Sequence, residues 1–91
     1  MYMKAVITVI GKDTVGILAK VSSLCAERNV NIADVTQTVM QDFFCMIMMC
    51  DIDKINVSFD KFVDEAEKIG EDSGLSIHVM HEDIFNSMHR I

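Results

Sequence analysis

The stretch Met3-Lys4-Ala5-Val6-Ile7-Thr8-Val9-Ile10-Gly11-Lys12-Asp13-Thr14-Val15-Gly16-Ile17-Leu18 changes its hydrophobic period halfway along. Residues 3–10 are rich in β-branched types and place Ala5, Ile7 and Val9 on one face, the pattern of a strand. From Thr14 to Arg28 the apolar positions are Ile17, Leu18, Val21, Leu24 and Cys25, the inner stripe of a helix of about four turns. Asp13 or Thr14 can cap this helix, and Asn29 closes it. A strand that turns through Gly11 into a helix leaves several backbone N–H groups without intrahelical partners. With the helix dipole, those donors favour a small anionic group. Gly16 lets the backbone approach a ligand or a partner closely.

Downstream, Asn31 opens a second strand at about 32–40, with Val35 and Val39 on one side and Asp34, Thr36 and Thr38 on the other. Gln41 and Asp42 read as a tight turn into a third strand, 43–52, which forms a hairpin with the second. Asn56 or Ser58 caps a second helix that runs to about Asp72, with Phe59, Phe62, Val63, Ala66 and Ile69 on its stripe. After Gly74, residues 75–81 form a fourth strand with Leu75, Ile77 and Val79 inward. Residues 82–91 carry Ile84, Phe85, Met88 and Ile91 at helical spacing. The order β-α-β-β-α-β predicts an α+β, ferredoxin-like plait in one domain, 1–91: a four-stranded antiparallel sheet with two helices on one face, plus a short C-terminal helix.

The third strand does not alternate. Phe44, Met46, Met48 and Cys50 share one face, and Phe43, Cys45, Ile47 and Met49 the other. Sheets with one wet face alternate apolar and polar residues, so both faces are expected to be covered, one by the helices and the other by the terminal helix or a second subunit. The 91 residues are 51% hydrophobic with a mean hydropathy of +0.29, rich for a small core, and this favours a homodimer. A net charge of −6 offers phosphate backbones no foothold, so no direct nucleic-acid binding is expected. The longest apolar run, 43–50, is too short to span a bilayer, and the start of the chain lacks a signal-peptide pattern. Together with three cysteines in no disulfide-like spacing, these features point to a cytoplasmic protein without membrane attachment.

The segment Gly11-Lys12-Asp13-Thr14-Val15-Gly16-Ile17-Leu18, followed by Asn29-Val30-Asn31-Ile32, resembles an ACT domain over roughly residues 3–81. The resemblance is closest to the small stand-alone ACT proteins of bacteria and archaea. It implies a regulatory, allosteric module that binds an amino acid or similar effector between two copies, in the loop after the first strand of one and the second strand of the other. Transferred onto this chain, the ligand-binding set is Gly11, Asp13, Thr14, Val15, Gly16, Ile17 and Asn31. Val15 stands where many members have proline, so the loop lacks proline's fixed φ. An amino acid needs an oxygen for its ammonium and N–H donors for its carboxylate. Asp13 supplies the first, the N–H groups near Val15, Gly16 and Ile17 the second, and Asn31 bridges from the neighbouring strand. The same residues also have purely structural readings: Asp13 as a helix cap, Gly16 as a close helix–sheet contact, Asn31 as a turn residue.

Other chemistries find little support. Cys45 and Cys50, five apart on a strand, point to opposite faces, as do His78 and His81, and Cys25 lies on an inner helical stripe. No metal or cofactor is expected. No Cys or Ser has a base and an orienting group nearby in sequence, so the chain is expected not to be an enzyme. The expected function is a non-enzymatic sensor whose small-molecule effector, an amino acid, binds at a homodimer interface. The alternative is a protein–protein interaction module that uses the sheet face or an edge strand, with the acidic face Asp60, Asp64, Glu65, Glu67, Glu71 and Asp72 available to a basic protein partner.

Overall fold

The computed structural model describes residues 3–12 and 16–88. Their order is β1 (Lys4–Gly11), α1 (Ile17–Glu27), β2 (Asn31–Met40), β3 (Phe43–Asp51), α2 (Phe59–Ser73), β4 (Ser76–His81) and α3 (Glu82–Met88). The four strands form one sheet in the order β2-β3-β1-β4, and every neighbouring pair is antiparallel. This is the ferredoxin-like βαββαβ arrangement that the sequence predicts, with the short terminal helix present. His89, Arg90 and Ile91 lie outside the described residues.

The alternating pattern of β1 sends Ala5, Ile7 and Val9 into the main core, where they meet Met46, Met48 and Cys50 of β3 and Ile77 and Val79 of β4. Helices α1 and α2 close this face with Ile17, Val21, Leu24, Cys25, Phe62 and Ala66. Leu18, expected on the inner stripe, is 41% exposed, because the helix presents its neighbours Ile17 and Val21 to the sheet. Val6 points the other way yet is fully buried. Helix α3 packs on β1 and β4 and closes the opposite face there, while Ile84 stays 53% exposed instead of joining its inner stripe. The rest of that face is less covered: Cys45, Ile47 and Met49 are half-buried and Phe43 is largely open.

Each helix end has an identifiable stop. Asn29 adopts a left-handed φ of 60° after α1, and Val30 N–H bonds the Cys25 carbonyl at 2.8 Å. Ser58 caps α2 by accepting from Lys61 N–H at 3.2 Å. Asn56, the other candidate cap, instead serves the end of α1. Its side chain donates to the Glu27 carbonyl at 2.9 Å and its backbone N–H to the Arg28 carbonyl at 3.1 Å. Gly74 closes α2 in the left-handed region at φ 70°.

Just inside that end, Gly70 abuts β4. A Cβ there would lie 2.9 Å from both the Leu75 carbonyl oxygen and Ile77 Cγ1. The side chain can turn aside, but the carbonyl oxygen belongs to the backbone. Gly70→Ala should therefore destabilise the protein by roughly 1–3 kcal/mol, outweighing a helix-propensity gain of about 1 kcal/mol. Urea denaturation measures the sign; a stabilised variant would show that the α2–β4 contact has slack.

The two helices are also joined by an ion pair. Arg28 Nε donates to Glu65 Oε1 at 2.9 Å, and a second guanidinium N–H reaches Oε2. This hydrogen-bonded guanidinium lowers the Glu65 pKa below its ordinary value. A carboxyl whose folded pKa is depressed contributes stability above its unfolded pKa and loses it as pH falls through the folded value. Arg28→Gln should therefore cost stability at neutral pH and flatten the loss of stability on acidification below the ordinary glutamate range. Denaturation midpoints across the acid range check this, and parallel curves for the two proteins would count against it.

Candidate functional site

The loop after β1 begins at Gly11, whose lack of a side chain lets Leu75 close over the end of the strand. Lys12 follows, with its ammonium 5.6 Å from the centre of the Phe43 ring. Gly11, Lys12, Phe43, Gly74 and Ser76 border a cleft of about 610 Å³ at this end of the sheet. Asp13, Thr14 and Val15 lie outside the described residues.

The loop ends at Gly16, which occupies the N-cap position with φ 77° and no side-chain cap. A Cβ on Gly16 would meet nothing within 4 Å, so the glycine answers a backbone requirement for positive φ and not a close contact. Ile17 opens the helix with its side chain in the core, 3% exposed, which leaves only its backbone N–H for a ligand.

Asn31 lies at the other end of the molecule. It stands opposite Asp51 of β3, which stands opposite Lys4 at the start of β1. Gly11 stands opposite Phe44, which stands opposite Val39 near the end of β2. Seven residue steps at ~3.3 Å separate the two ends by about 23 Å, more than one amino acid spans. Within a single chain, the loop and Asn31 are not one site.

Around Asn31 is a second cleft, of about 600 Å³, bordered by Asn29, Asp51, Asp53 and Lys54. Backbone groups orient its carboxylates: Asp51 Oδ1 accepts from Asp53 N–H at 3.0 Å, and Asp53 Oδ1 accepts from Met3 N–H at 2.5 Å. The Asn29 amide donates to the Lys54 carbonyl at 2.9 Å. The loop end carries Lys12 and, in the β2–β3 turn, Asp42, whereas the Asn31 end carries Asp51, Asp53, Lys4 and Lys54. Between the two ends runs β2, one of the two edge strands. Its residues 33–39 are exposed, Asp34 is their single charge, and none is proline.

The cysteines follow the sequence reading. Cys25 and Cys50 are buried against each other in the core, and Cys50 is held well above its ordinary pKa by its hydrogen bond to Cys25 and by burial. The same hydrogen bond lowers the Cys25 pKa, but at 1% and 0% exposure neither thiol is open to a substrate. One cluster is missed by reading neighbours along the chain. Ser76 Oγ lies 3.1 Å from His78 Nε2, and His78 Nδ1 lies 3.9 Å from Glu67 Oε2 of α2. Strand period two brings Ser76 and His78 together, and only the packing of α2 on β4 adds the glutamate. His78 and Glu67 side chains are 58% and 43% exposed, so bulk water competes for every contact that a nucleophile would need. Among the described residues no group of three or more His, Cys, Asp or Glu is placed to hold a metal, and no helix is long and apolar enough to cross a membrane.

Comparison with known proteins agrees with this architecture. The ACT domain family model matches residues 5–58. A UPF0237 protein of Listeria monocytogenes is 53% identical over 89 residues, which cover 98% of this chain and all of the relative. Among solved structures, an ACT domain protein from Streptococcus pneumoniae superposes with a TM-score of 0.80 at 37% identity, covering 98% of this chain and 100% of that one. A putative glycine cleavage system transcriptional repressor shares the fold at a TM-score of 0.69 and 22% identity, over 89% of this chain and 46% of its own. The chain belongs to the ACT domain family.

Proposed function

We propose that the protein is a non-enzymatic sensor in which two copies pair through β2 and hold an amino acid between the β1–α1 loop of one and Asn31 of the other. The observation that carries this reading is the separation of the two half-sites by the length of the sheet. β2 runs parallel to β1, since both are antiparallel to β3. When two β2 edges pair antiparallel, the start of one lies beside the end of the other. Asn31 of the second copy is thereby brought to the loop end of the first, and the symmetry makes two such sites.

The charge on the edge supports the same pairing. An edge with a single charge allows two chains of net charge −6 to approach. In each site, free N–H groups near Val15, Gly16 and Ile17 receive the carboxylate. Asp13 and Asn31 of the second copy receive the ammonium. Ligand occupancy then favours the paired state over the separate chains and couples metabolite level to assembly or to a protein partner.

Asp13→Ala and Asn31→Ala are each expected to weaken ligand binding roughly tenfold or more, the loss of one charge-assisted hydrogen bond, while leaving the unliganded melting temperature nearly unchanged. Calorimetric titration of both variants with whichever amino acid binds the unmodified protein makes the comparison; unaltered affinity in both would remove these residues from the site.

A further inference from the structure

We propose that the cleft between Lys12, Phe43 and the α2–β4 turn is a separate ligand site, complete in one chain, for a small aromatic carboxylate. The residues described around it run from Phe43 of β3 across the ends of β1 and β4, and none belongs to β2. The site therefore does not depend on the pairing proposed above. Its walls are apolar: Ile10 and Phe43 are 43% and 49% exposed, two large apolar side chains left open at one end of the sheet. Leu75 lies over Gly11 and forms the floor. Gly74 turns the chain at φ 70° with open space where a Cβ would stand, which keeps the mouth wide. A volume of about 610 Å³ has room for an aromatic ring and a short acid arm.

The polar groups suit a single negative charge. Lys12 Nζ stands 5.6 Å from the centre of the Phe43 ring, near the outer limit of a cation–π contact. Among the described residues the ion pairs within 4 Å are Arg28–Glu65 and His78–Glu67, so Lys12 has no carboxylate partner there. Ser73 Oγ accepts from Lys20 Nζ at 3.4 Å, which leaves its own O–H to donate. No Asp or Glu borders the cleft among the described residues, so an ammonium would find no counter-charge. The N–H groups of Gly74 and Leu75 are already bound to the Glu71 and Gly70 carbonyls, so this turn offers no cluster of backbone donors to a phosphate. One lysine and one hydroxyl match a carboxylate, and the open Phe43 ring matches a flat apolar body stacked on it. On binding, the carboxylate draws the Lys12 ammonium off the ring, and the ligand's own ring takes its place.

Phenylacetate is the probe, titrated calorimetrically into the whole chain, and phenethylamine, with the same ring and the opposite charge, is the comparison. The expected result is a Kd on the order of 1 mM for phenylacetate and no binding of phenethylamine at about 10 mM. Lys12→Gln should weaken phenylacetate roughly tenfold or more, the loss of one charge-assisted contact. Phe43→Ala should weaken it as well, with little change in Tm, because the ring is already half exposed. Val35→Lys, which charges the β2 edge, should bind phenylacetate as wild type does. No binding of phenylacetate at about 10 mM, equal affinity for the two probes, or unaltered affinity in Lys12→Gln or Phe43→Ala overturns the proposal. Loss of phenylacetate binding in Val35→Lys overturns it too, since the ligand would then need two copies. None of these failures touches the two-copy site, which is tested by amino acids; a chain that binds none of the twenty would lose that site and keep this one.

Discussion

Val35→Lys is expected to turn the proposed dimer into a monomer. Val35 sits near the middle of β2, and in antiparallel pairing of two β2 edges with Asn31 of one opposite Val39 of the other, Val35 meets its own copy. One substitution therefore places two ammonium groups at the two-fold axis. Like charges forced together at an interface cost on the order of 2–4 kcal/mol, which raises the dimer Kd roughly 30- to 1000-fold. The single chain should tolerate the change, because Val35 is already 37% exposed and edge strands commonly carry lysine. Sedimentation velocity on wild type and variant reads the association directly. Amino-acid binding should fall with it, since neither amino-acid site is complete in one chain. A variant that remains dimeric would place the interface elsewhere, with the half-covered apolar face of β3 as the next surface to examine.

Phe62→Ala should give the largest loss of folding stability. Phe62 is fully buried, and it is the largest such side chain among the described residues. It projects from α2 into the core that includes Ile7, Met46, Met48 and Val79. Removing its ring deletes apolar contacts and leaves a cavity that a strand-backed core cannot collapse to fill, costing roughly 3–5 kcal/mol. At this chain length that corresponds to a fall in Tm of roughly 12–40 °C. Phe62→Leu, which keeps most of the volume, should cost less than about 1.5 kcal/mol. Thermal denaturation by circular dichroism separates the two. A difference between the variants of less than about 1 kcal/mol would mean that the core repacks around the gap.

Much of the fold is legible in the sequence because period and punctuation agree. The β-branched run before Gly11, Ser58 ahead of the Phe59–Ile69 stripe, and Gly74 after it each set an element by local chemistry, and the structure places them as read. The doubly apolar third strand foretells two covered faces, but α3 covers the second only over β1 and β4, and Phe43 stays 49% exposed. What local reading misses depends on neighbours distant in the chain. Leu18 and Ile84 fit a helical stripe, but how far the sheet extends beneath each helix decides which residues of the stripe are buried. Asn56 has the chemistry of a cap for the helix after it, yet the end of α1 lies closer and takes its hydrogen bonds. Gly16 is conspicuous in the sequence, although its cause is a left-handed backbone and not a crowded contact.

The candidate site is legible to a different degree. Its residues can be nominated from the loop pattern and Asn31, but their placement at opposite ends of the sheet follows only from strand order and register.

The central claim, a shared amino-acid site between two copies, is met most directly by thermal-shift measurements on the whole chain with each proteinogenic amino acid at millimolar concentration. A ligand present at about a hundred times its Kd stabilises the folded state by about 2.7 kcal/mol. The account predicts a clear rise in Tm for at least one amino acid in wild type, and no such rise for that amino acid in monomeric Val35→Lys. No shift in wild type with any of the twenty, or an equal shift in the monomeric variant, would contradict it.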